Sequence, residues 1–362
     1  VDDPETVFAG AATLCVETAT TGTGGPAGCD YTTTSSFATA INTTAGSGAT
    51  YKRILFKRDQ SWTGNATISS AGPGVIGAWG SGALPAMSTT GATAPLTMSA
   101  PDWRLMNFTL NGNDLSEGIA MDVDADQITL YGMTLSNFLE ACSPNPYSGH
   151  LFLDVCMEQC TWSSNVNYNM YACGQRFSIM GNTFNQNTSQ PPGHTVRIHM
   201  ARKAVIQHNN FFGGPLGDQI KLHGPCRSGS GCDVILDDIG TTAYTEEVII
   251  SDNKFNNGGH FVDVAIEPQN PTSNEHIRNI IYERNLHMFG GGNGQSVVRM
   301  HGVEMTCRNN LVIATNGNSD ENNGFLLVGI DPVDGNVPAP TRTFLLNNTI
   351  YRGDAPASAI VG

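Results

Sequence analysis

The sequence predicts an all-β protein folded as a solenoid, a right-handed parallel β-helix with an N-terminal cap and loop insertions. The composition is rich in Gly, Asn, Thr and Ser, and only 14% of the residues are charged, which is typical of chains with many turns and few helices. Short strand-like runs follow one another with too little chain between them for crossover helices. One motif also recurs along most of the chain, and stacked copies of one unit bury a continuous core.

The cap is predicted at residues 1–50, and the coils at 51–362 within the same domain. The cap is small and polar, and Cys15 and Cys29 flank a Gly-rich loop in it. Residues 35–41 are the one stretch of the cap that suits a short helix, because Ser and Thr residues stand where a helix cap is needed.

The coils begin with short apolar runs separated by Gly, Asn and Pro turns, which predict strands at 53–57, 66–69 and 74–79. From Trp103 onward the repeated unit is an apolar strand, a polar turn that often contains Asn, and an apolar anchor. The recurrent Asn residues are expected to form side-chain ladders and to adopt left-handed conformations. The anchors, spaced by roughly one solenoid coil, are Leu110, Leu135, Trp162, Phe184, Phe211, Phe255, Leu286, Leu311 and Ile350.

A triplet of a basic residue, an apolar residue and a histidine occurs three times. Alternate side chains of a strand face opposite sides, so the apolar residue can point into a core while the cation and the histidine point outward together. Stacked coils would then place a basic centre on the outer face, flanked by carboxylates. The copies are Arg197-Ile198-His199, Lys221-Leu222-His223 and Arg299-Met300-His301.

Charge and cysteine content narrow the functional classes. A formal net charge of −14 argues against general nucleic-acid binding, which usually requires a basic face, and no apolar run approaches the length of a membrane span. Nine cysteines indicate an oxidising compartment and hence a secreted or cell-surface protein. Disulfides are expected rather than a zinc site, which would need a second short-spaced ligand pair. Four cysteines fall in one region: Cys142, Cys156, Cys160 and Cys173.

The repeat of short strands and Asn-containing turns resembles the pectate-lyase-like superfamily of right-handed β-helix proteins. The early stretch ILFKRDQSWTGNATISSAGPGVIGAWGSGALP is similar to the N-terminal coils of its polysaccharide-acting members. The resemblance covers nearly the whole chain as a fold, and it does not identify a catalytic subfamily. It implies polysaccharide lyase chemistry with Lys, Arg and Ca²⁺ on a strand face.

The basic centre suits β-elimination of a uronate polysaccharide. The substrate carboxylate must be neutralised, by Arg or Ca²⁺, so that the neighbouring C–H becomes acidic. A base must then remove that proton. The predicted roles are a base at Lys221, carboxylate clamps at Arg197 and Arg299, an acid at His199 or His223 with Tyr171 as the alternative, and His301 in the same set.

Further positions are predicted around this centre, and other functions stay open. A glycoside hydrolase would need paired carboxylates, an epimerase would use almost the same groups as a lyase, and an extracellular structural or adhesive β-helix could stack end to end with other copies. The triplets could then be a charge ladder that holds coils together. Substrate contacts are predicted at Arg202, Lys203 and Glu267, and Ca²⁺ ligands at Asp122, Asp154 and Asp263.

Overall fold

The protein is a right-handed parallel β-helix, as predicted, and every strand pairing among the described residues is parallel. Each coil supplies one strand to each of three faces in turn. The computed structural model describes residues 8–19, 22–42, 50–89, 91–114, 117–121, 125–144, 152–153, 155–163, 165, 168–185, 193–213, 217–224, 244–256, 263–267, 277–289, 296–314, 324–328 and 342–352.

The strands of the three faces are as follows. The first face contains β5 (Ala66–Ile68), β8 (Leu96–Met98), β11 (Glu117–Met121), β14 (Glu140–Pro144), β15 (Phe152–Leu153), β18 (Met170–Gln175), the first half of β21 (Val196–Gln207), β23 (Ile220–Leu222), β26 (Val264–Ile266), β29 (Ser296–Met300) and β32 (Gly324–Val328). The second face contains β1 (Thr13–Glu17), β2 (Cys29–Thr33), β3 (Arg53–Lys57), β6 (Gly74–Trp79), β9 (Trp103–Met106), β12 (Thr129–Tyr131), β16 (Cys156–Glu158), β19 (Ser178–Met180), the second half of β21, β24 (Thr245–Ser251), β27 (Ile277–Glu283), β30 (Thr306–Arg308) and β33 (Phe344–Leu346). The third face contains β4 (Ser61–Thr63), β7 (Ala86–Ser88), β10 (Thr109–Asn111), β13 (Thr134–Ser136), β17 (Thr161–Ser163), β20 (Thr183–Asn185), β22 (Asn210–Phe212), β25 (Lys254–Asn256), β28 (Leu286–Phe289), β31 (Leu311–Ala314) and β34 (Thr349–Arg352).

The cap contains α1 (Phe37–Asn42), the predicted helix. The Ser36 hydroxyl accepts a hydrogen bond from the Thr39 main-chain N–H at 3.1 Å, which is the expected N-cap contact. The disulfide between Cys15 and Cys29 joins β1 to β2. The predicted early strands are confirmed as β3, β5 and β6.

The disulfide expectation is wrong for the middle of the chain. Burial there places thiols in the apolar core, where a cysteine behaves as a small apolar residue. No helix in the described part of the chain is both long and apolar enough to cross a membrane. The thiols concerned are Cys142, Cys156, Cys160 and Cys173, of which Cys156 is only partly buried.

An inward column of large side chains runs along the third face, as predicted for most coils. The prediction is wrong at Leu286 and Leu311, because the inward residues of those strands are His287 and Val312. A shift of one residue moves a side chain to the other side of a strand, and a histidine gives no apolar signal. The confirmed members are Leu110, Leu135, Trp162, Phe184, Phe211, Phe255 and Ile350.

The predicted asparagine ladder forms at the turn before the third face. From Asn209 onward, each side-chain Oδ1 accepts hydrogen bonds from the main-chain N–H and the Nδ2 of the ladder Asn one coil earlier, at 2.9–3.1 Å. The residue before each ladder position is left-handed, from Gly181 at φ 64° to Asn347 at φ 52°, so the turn is repeated coil after coil. The members are Asn182, Asn209, Asn253, Asn285, Asn310 and Asn348.

Candidate functional site

The three basic triplets stack on the first face, as the alternation predicted. Their middle residues are fully buried in the core, and the cations lie in one row with Ala265 between the last two. We call Arg197, Lys221, Ala265 and Arg299 the site row. Two residues further along each strand, a second column contains His199, His223, Glu267 and His301.

The Glu267 carboxylate lies between two cations of the site row, Lys221 and Arg299. Its Oε1 accepts a short hydrogen bond from Lys221 Nζ, and its Oε2 lies 3.5 Å from Arg299 Nη1. These side chains are only 13–14% exposed. Ala265 has no long side chain, so both cations can reach the carboxylate from neighbouring coils. Burial raises the pKa of Glu267, but Lys221, Arg299 and His301 outweigh burial and hold it below its ordinary value.

Lys221 has a second carboxylate beside it, Asp218, whose Oδ2 lies 3.4 Å from Lys221 Nζ. Burial raises the pKa of Asp218 to about 6, although Lys221 opposes this shift. The Asp218 main-chain N–H donates to His194 Nδ1 at 2.8 Å. Burial and the nearby cations lower the pKa of His194 to about 3, so this imidazole is neutral.

His199 owes its position to a β-bulge. The register between β18 and β21 shifts at this residue, so His199 has no partner in the ladder, and bulges re-aim side chains in this way. Its ring centroid lies 4.8 Å from that of Tyr171 and 5.3 Å from that of His223. Burial and the charge of Arg197 lower the pKa of His199 to about 3.

His223 is held in one tautomer. Its Nδ1 donates to the Glu267 main-chain carbonyl at 3.0 Å, and a carbonyl oxygen can only accept. Burial lowers its pKa well below the ordinary value, as do Lys221 and other nearby groups. Among the described residues, neither His223 Nε2 nor His199 Nε2 has a hydrogen-bond partner, and both atoms are buried. The site therefore contains two neutral imidazoles with an uncommitted nitrogen.

Arg197 differs from the other cations of the site row. Its Nη1 donates to the Tyr168 hydroxyl at 2.8 Å, and its guanidinium lies 5.7 Å and 5.9 Å from the ring centroids of Tyr168 and Tyr171. Within the described ranges, no carboxylate pairs with Arg197, and its Nε is buried without a partner.

Two predicted substrate contacts lie in a neighbouring charged row. Arg202 Nε is 3.0 Å from Glu246 Oε1, and Arg278 Nη2 is 2.6 Å from Glu246 Oε2. We call Arg202, Glu246 and Arg278 the outer charge row. Lys203 is exposed, and its Nζ lies 3.9 Å from Glu247. Both cations therefore have carboxylate partners on β24.

The predicted outward position of Asp263 is wrong. Its Oδ2 hydrogen-bonds His287 Nδ1 at 2.6 Å inside the core, because β26 begins only at the next residue and strand alternation does not extend to Asp263. Asp122 and Asp154 lie outside the described residues. The described carboxylates do not fit a Ca²⁺ site, since Glu267 is bound by Lys221 and Asp263 by His287. No cluster of three or more His, Cys, Asp or Glu side chains suited to a metal occurs in the described part of the chain.

Sequence reasoning missed Asp218 and Tyr168, which contact the site row directly, and His194, which contacts Asp218. It also missed His287, which was predicted to lie at the surface next to an anchor at Leu286 and is instead fully buried. A sequence signal for His287 does exist: each ladder Asn is followed two residues later by the inward anchor, as in Asn253 and Phe255. Asn285 therefore points to residue 287.

Comparisons with known proteins support the fold. No protein-family model matches the chain, and a search of curated proteins found no match. Among solved structures, PfbA, a surface adhesin of Streptococcus pneumoniae, is similar with a TM-score of 0.55 and 8% identity over 84% of this chain and 83% of that one. The Dettilon tailspike protein is similar with a TM-score of 0.53 and 10% identity over 83% of this chain. The chain spans 56% of the tailspike's length.

Proposed function

We propose that the first face binds an acidic polysaccharide containing uronate sugars and cleaves it by β-elimination. The observation that carries the proposal is the row of cations beside two buried, neutral histidines. Cations suit a substrate carboxylate, and neutral imidazoles suit proton transfer. The resemblance to polysaccharide-acting β-helix proteins adds support at the level of the fold.

Different side chains of the site would perform the separate steps of the elimination. Arg197, whose charge no described carboxylate balances, would bind the substrate carboxylate and make the neighbouring C–H more acidic. A base removes that proton, the electron pair forms the C=C bond, and the glycosidic C–O bond breaks. The leaving oxygen takes a proton from an acid, for which Tyr171 and His199 remain the candidates.

Two residues are candidates for the base. Lys221 was the prediction from sequence, but its Nζ donates to Glu267 and lies close to Asp218, so it is engaged by two carboxylates of the protein. His223 has a buried Nε2 without a hydrogen-bond partner among the described residues, and its Nδ1–H is fixed by the Glu267 carbonyl. We therefore favour His223 as the base and Lys221 as part of the carboxylate-binding set.

The test is the ultraviolet absorbance of the unsaturated uronate that elimination produces. Purified protein would be incubated with pectate, alginate, glucuronan and glycosaminoglycans, with Ca²⁺ or with a chelator. A rise on one substrate supports the lyase, and a flat trace on every substrate contradicts it. Loss of the signal with chelator would support the Ca²⁺ prediction for Asp122 and Asp154, and an unchanged signal would contradict that prediction.

The second candidate is an extracellular adhesive β-helix that binds a glycan without cleaving it. The fold likeness to the adhesin PfbA favours it, and the Cys15–Cys29 disulfide suits an extracellular location. Phe344, Leu345 and Leu346 on β33 are exposed, which suits end-to-end association. Glycan binding without an unsaturated product would favour this candidate, and light scattering would test the association.

A further inference from the structure

A chain of three polar side chains crosses the core beneath the site. Tyr282 Oη lies 2.6 Å from His287 Nε2, and His287 Nδ1 lies 2.6 Å from Asp263 Oδ2. All three side chains are buried. A carboxylate accepts, so the consistent arrangement has Nδ1–H donating to Asp263 and the tyrosine O–H donating to Nε2.

This polar chain interrupts an apolar column. The His287 ring stacks on Phe255 with centroids 4.7 Å apart and planes 6° from parallel, in the position that Phe211 and Phe184 fill in earlier coils. A phenylalanine would fit the same stack. Buried charged and polar groups are costly compared with apolar groups of similar shape, so stability alone does not account for a histidine here.

The main chain of Asp263 is hydrogen-bonded to the coils on both sides of it, and these coils contain Lys221 and Arg299 of the site row. Its main-chain carbonyl accepts from Ile220 N–H at 2.9 Å, and its N–H donates to the Val297 carbonyl at 3.1 Å. These neighbours belong to the coils of Lys221 and Arg299. The strand that starts beside Asp263, β26, has only three residues, so few ladder bonds fix its register.

Glu267 lies at the other end of β26. Its carboxylate joins Lys221 to Arg299, and its carbonyl holds the Nδ1–H of His223. Three extended residues separate it from Asp263, and an extended strand has a nearly fixed length per residue. A displacement of Asp263 would therefore move Glu267 and the tautomer contact of His223 with it.

We propose that Tyr282, His287 and Asp263 form a positioning relay that anchors β26 from inside the core and thereby holds Glu267 and His223 in working geometry. These three are positioning residues, since none faces the site row. The predicted effect on turnover rests on the proposed function. The predicted effect on the tautomer contact of His223 does not rest on that function.

The decisive variant is the double substitution His287→Phe with Asp263→Leu. It replaces the buried polar pair by apolar groups, which offsets the cost of leaving the Tyr282 hydroxyl without its partner, so stability should change little. Turnover should nevertheless fall about 10- to 100-fold with little change in KM, because small displacements of catalytic groups are costly. Wild-type stability together with wild-type turnover in this variant would overturn the proposal.

Nitrogen NMR of histidine-labelled protein supplies a readout that does not need activity. In the wild type, His223 should show a protonated Nδ1 and an unprotonated Nε2, assigned with His223→Gln. The double variant and the milder Tyr282→Phe should shift or broaden these signals. Unchanged His223 signals in both folded variants would contradict the relay.

The matched control is Phe211→Leu. It removes part of the same column at a residue that stacks on Phe184 and Phe255 rather than on the polar chain, so it should lower stability and leave the His223 signals unchanged. A His223 shift of equal size in this control would show a general loosening of the core and overturn the proposal. If the wild type eliminates no substrate, the lyase fails while the NMR comparison still decides the relay.

Discussion

The outer charge row occupies three of the four coils that contain the site row, and the two rows differ in charge order and burial. Signs alternate in the outer charge row, Arg202, Glu246 and Arg278, and its arginines are 39–43% exposed. The site row stacks Arg197 directly against Lys221, and Lys221 is 13% exposed. Opposite charges on neighbouring strands stabilise a sheet, whereas like charges destabilise it.

The pairing of charges within each row distinguishes a structural charge ladder from a candidate site. Both arginines of the outer charge row form ion pairs with Glu246, which belongs to the same row. The site row needs Glu267 from a second column to hold Lys221 and Arg299, and it leaves Arg197 without a described carboxylate partner. A like-charged, poorly solvated arrangement persists where function requires it.

The largest expected effect is on catalysis. His223→Gln should lower turnover by about 10²- to 10⁴-fold, because the base is removed while an amide keeps some of the polar contact. Arg278→Met, in the outer charge row, should leave turnover unchanged. The measurement is the initial rate of unsaturated product formation, and a His223→Gln rate near that of the wild type would exclude His223 as the base.

Lys221 can be tested by a charge-preserving change. If Lys221 only binds carboxylate, Lys221→Arg should keep turnover within about tenfold, while Lys221→Ala should lose much more. If Lys221 is the base, as the sequence suggested, both variants should be inactive. Rates measured for the pair, with circular dichroism to verify folding, distinguish the two roles.

The next effect is on stability. Glu267→Ala removes the carboxylate between two poorly exposed cations and should cost about 3 kcal/mol of unfolding free energy, since unpaired buried charges are unfavourable. Glu246→Ala leaves two largely solvated arginines and should cost about 1 kcal/mol or less. Urea unfolding of both variants checks the difference, and equal losses would contradict the distinction between the rows.

The pH dependence of stability should show the buried histidines. The pKa values of His194 and His199 are lowered to about 3 by burial, against about 6.5 in an unfolded chain. The unfolded state therefore binds more protons between these pH values, so stability falls as pH falls through that window. His223 acts in the same direction, and Asp218, with its pKa raised to about 6, acts in the opposite one.

The expected size of this effect follows from a net uptake of about two protons on unfolding, or about 2–3 kcal/mol per pH unit near pH 5. His199→Gln should reduce the slope by about one proton. His208→Asn, at an exposed left-handed turn, should leave it unchanged. Urea unfolding between pH 4.5 and 7.5 tests this, and an unaltered slope in His199→Gln would contradict the neutral state of His199.

Sequence patterns were sufficient for the fold and for the stacking of the three basic triplets on one face. The repeated unit of strand, Asn turn and anchor predicts the β-helix. Strand alternation predicts that Ile198 and Leu222 point inward beneath their outward neighbours, and both are buried. What alternation cannot reveal is where a strand starts or bulges. Asp263 lies one residue before β26 and turns inward, and the bulge at His199 depends on pairing with β18.

Elimination at the site row is most directly distinguished from hydrolysis by carrying out the reaction in heavy-oxygen water. The acidic polysaccharide that gives a product would be degraded in labelled water and the fragments analysed by mass spectrometry. Elimination adds no water, so the account predicts unsaturated fragments without label. Saturated fragments that carry the label would establish hydrolysis and contradict the account.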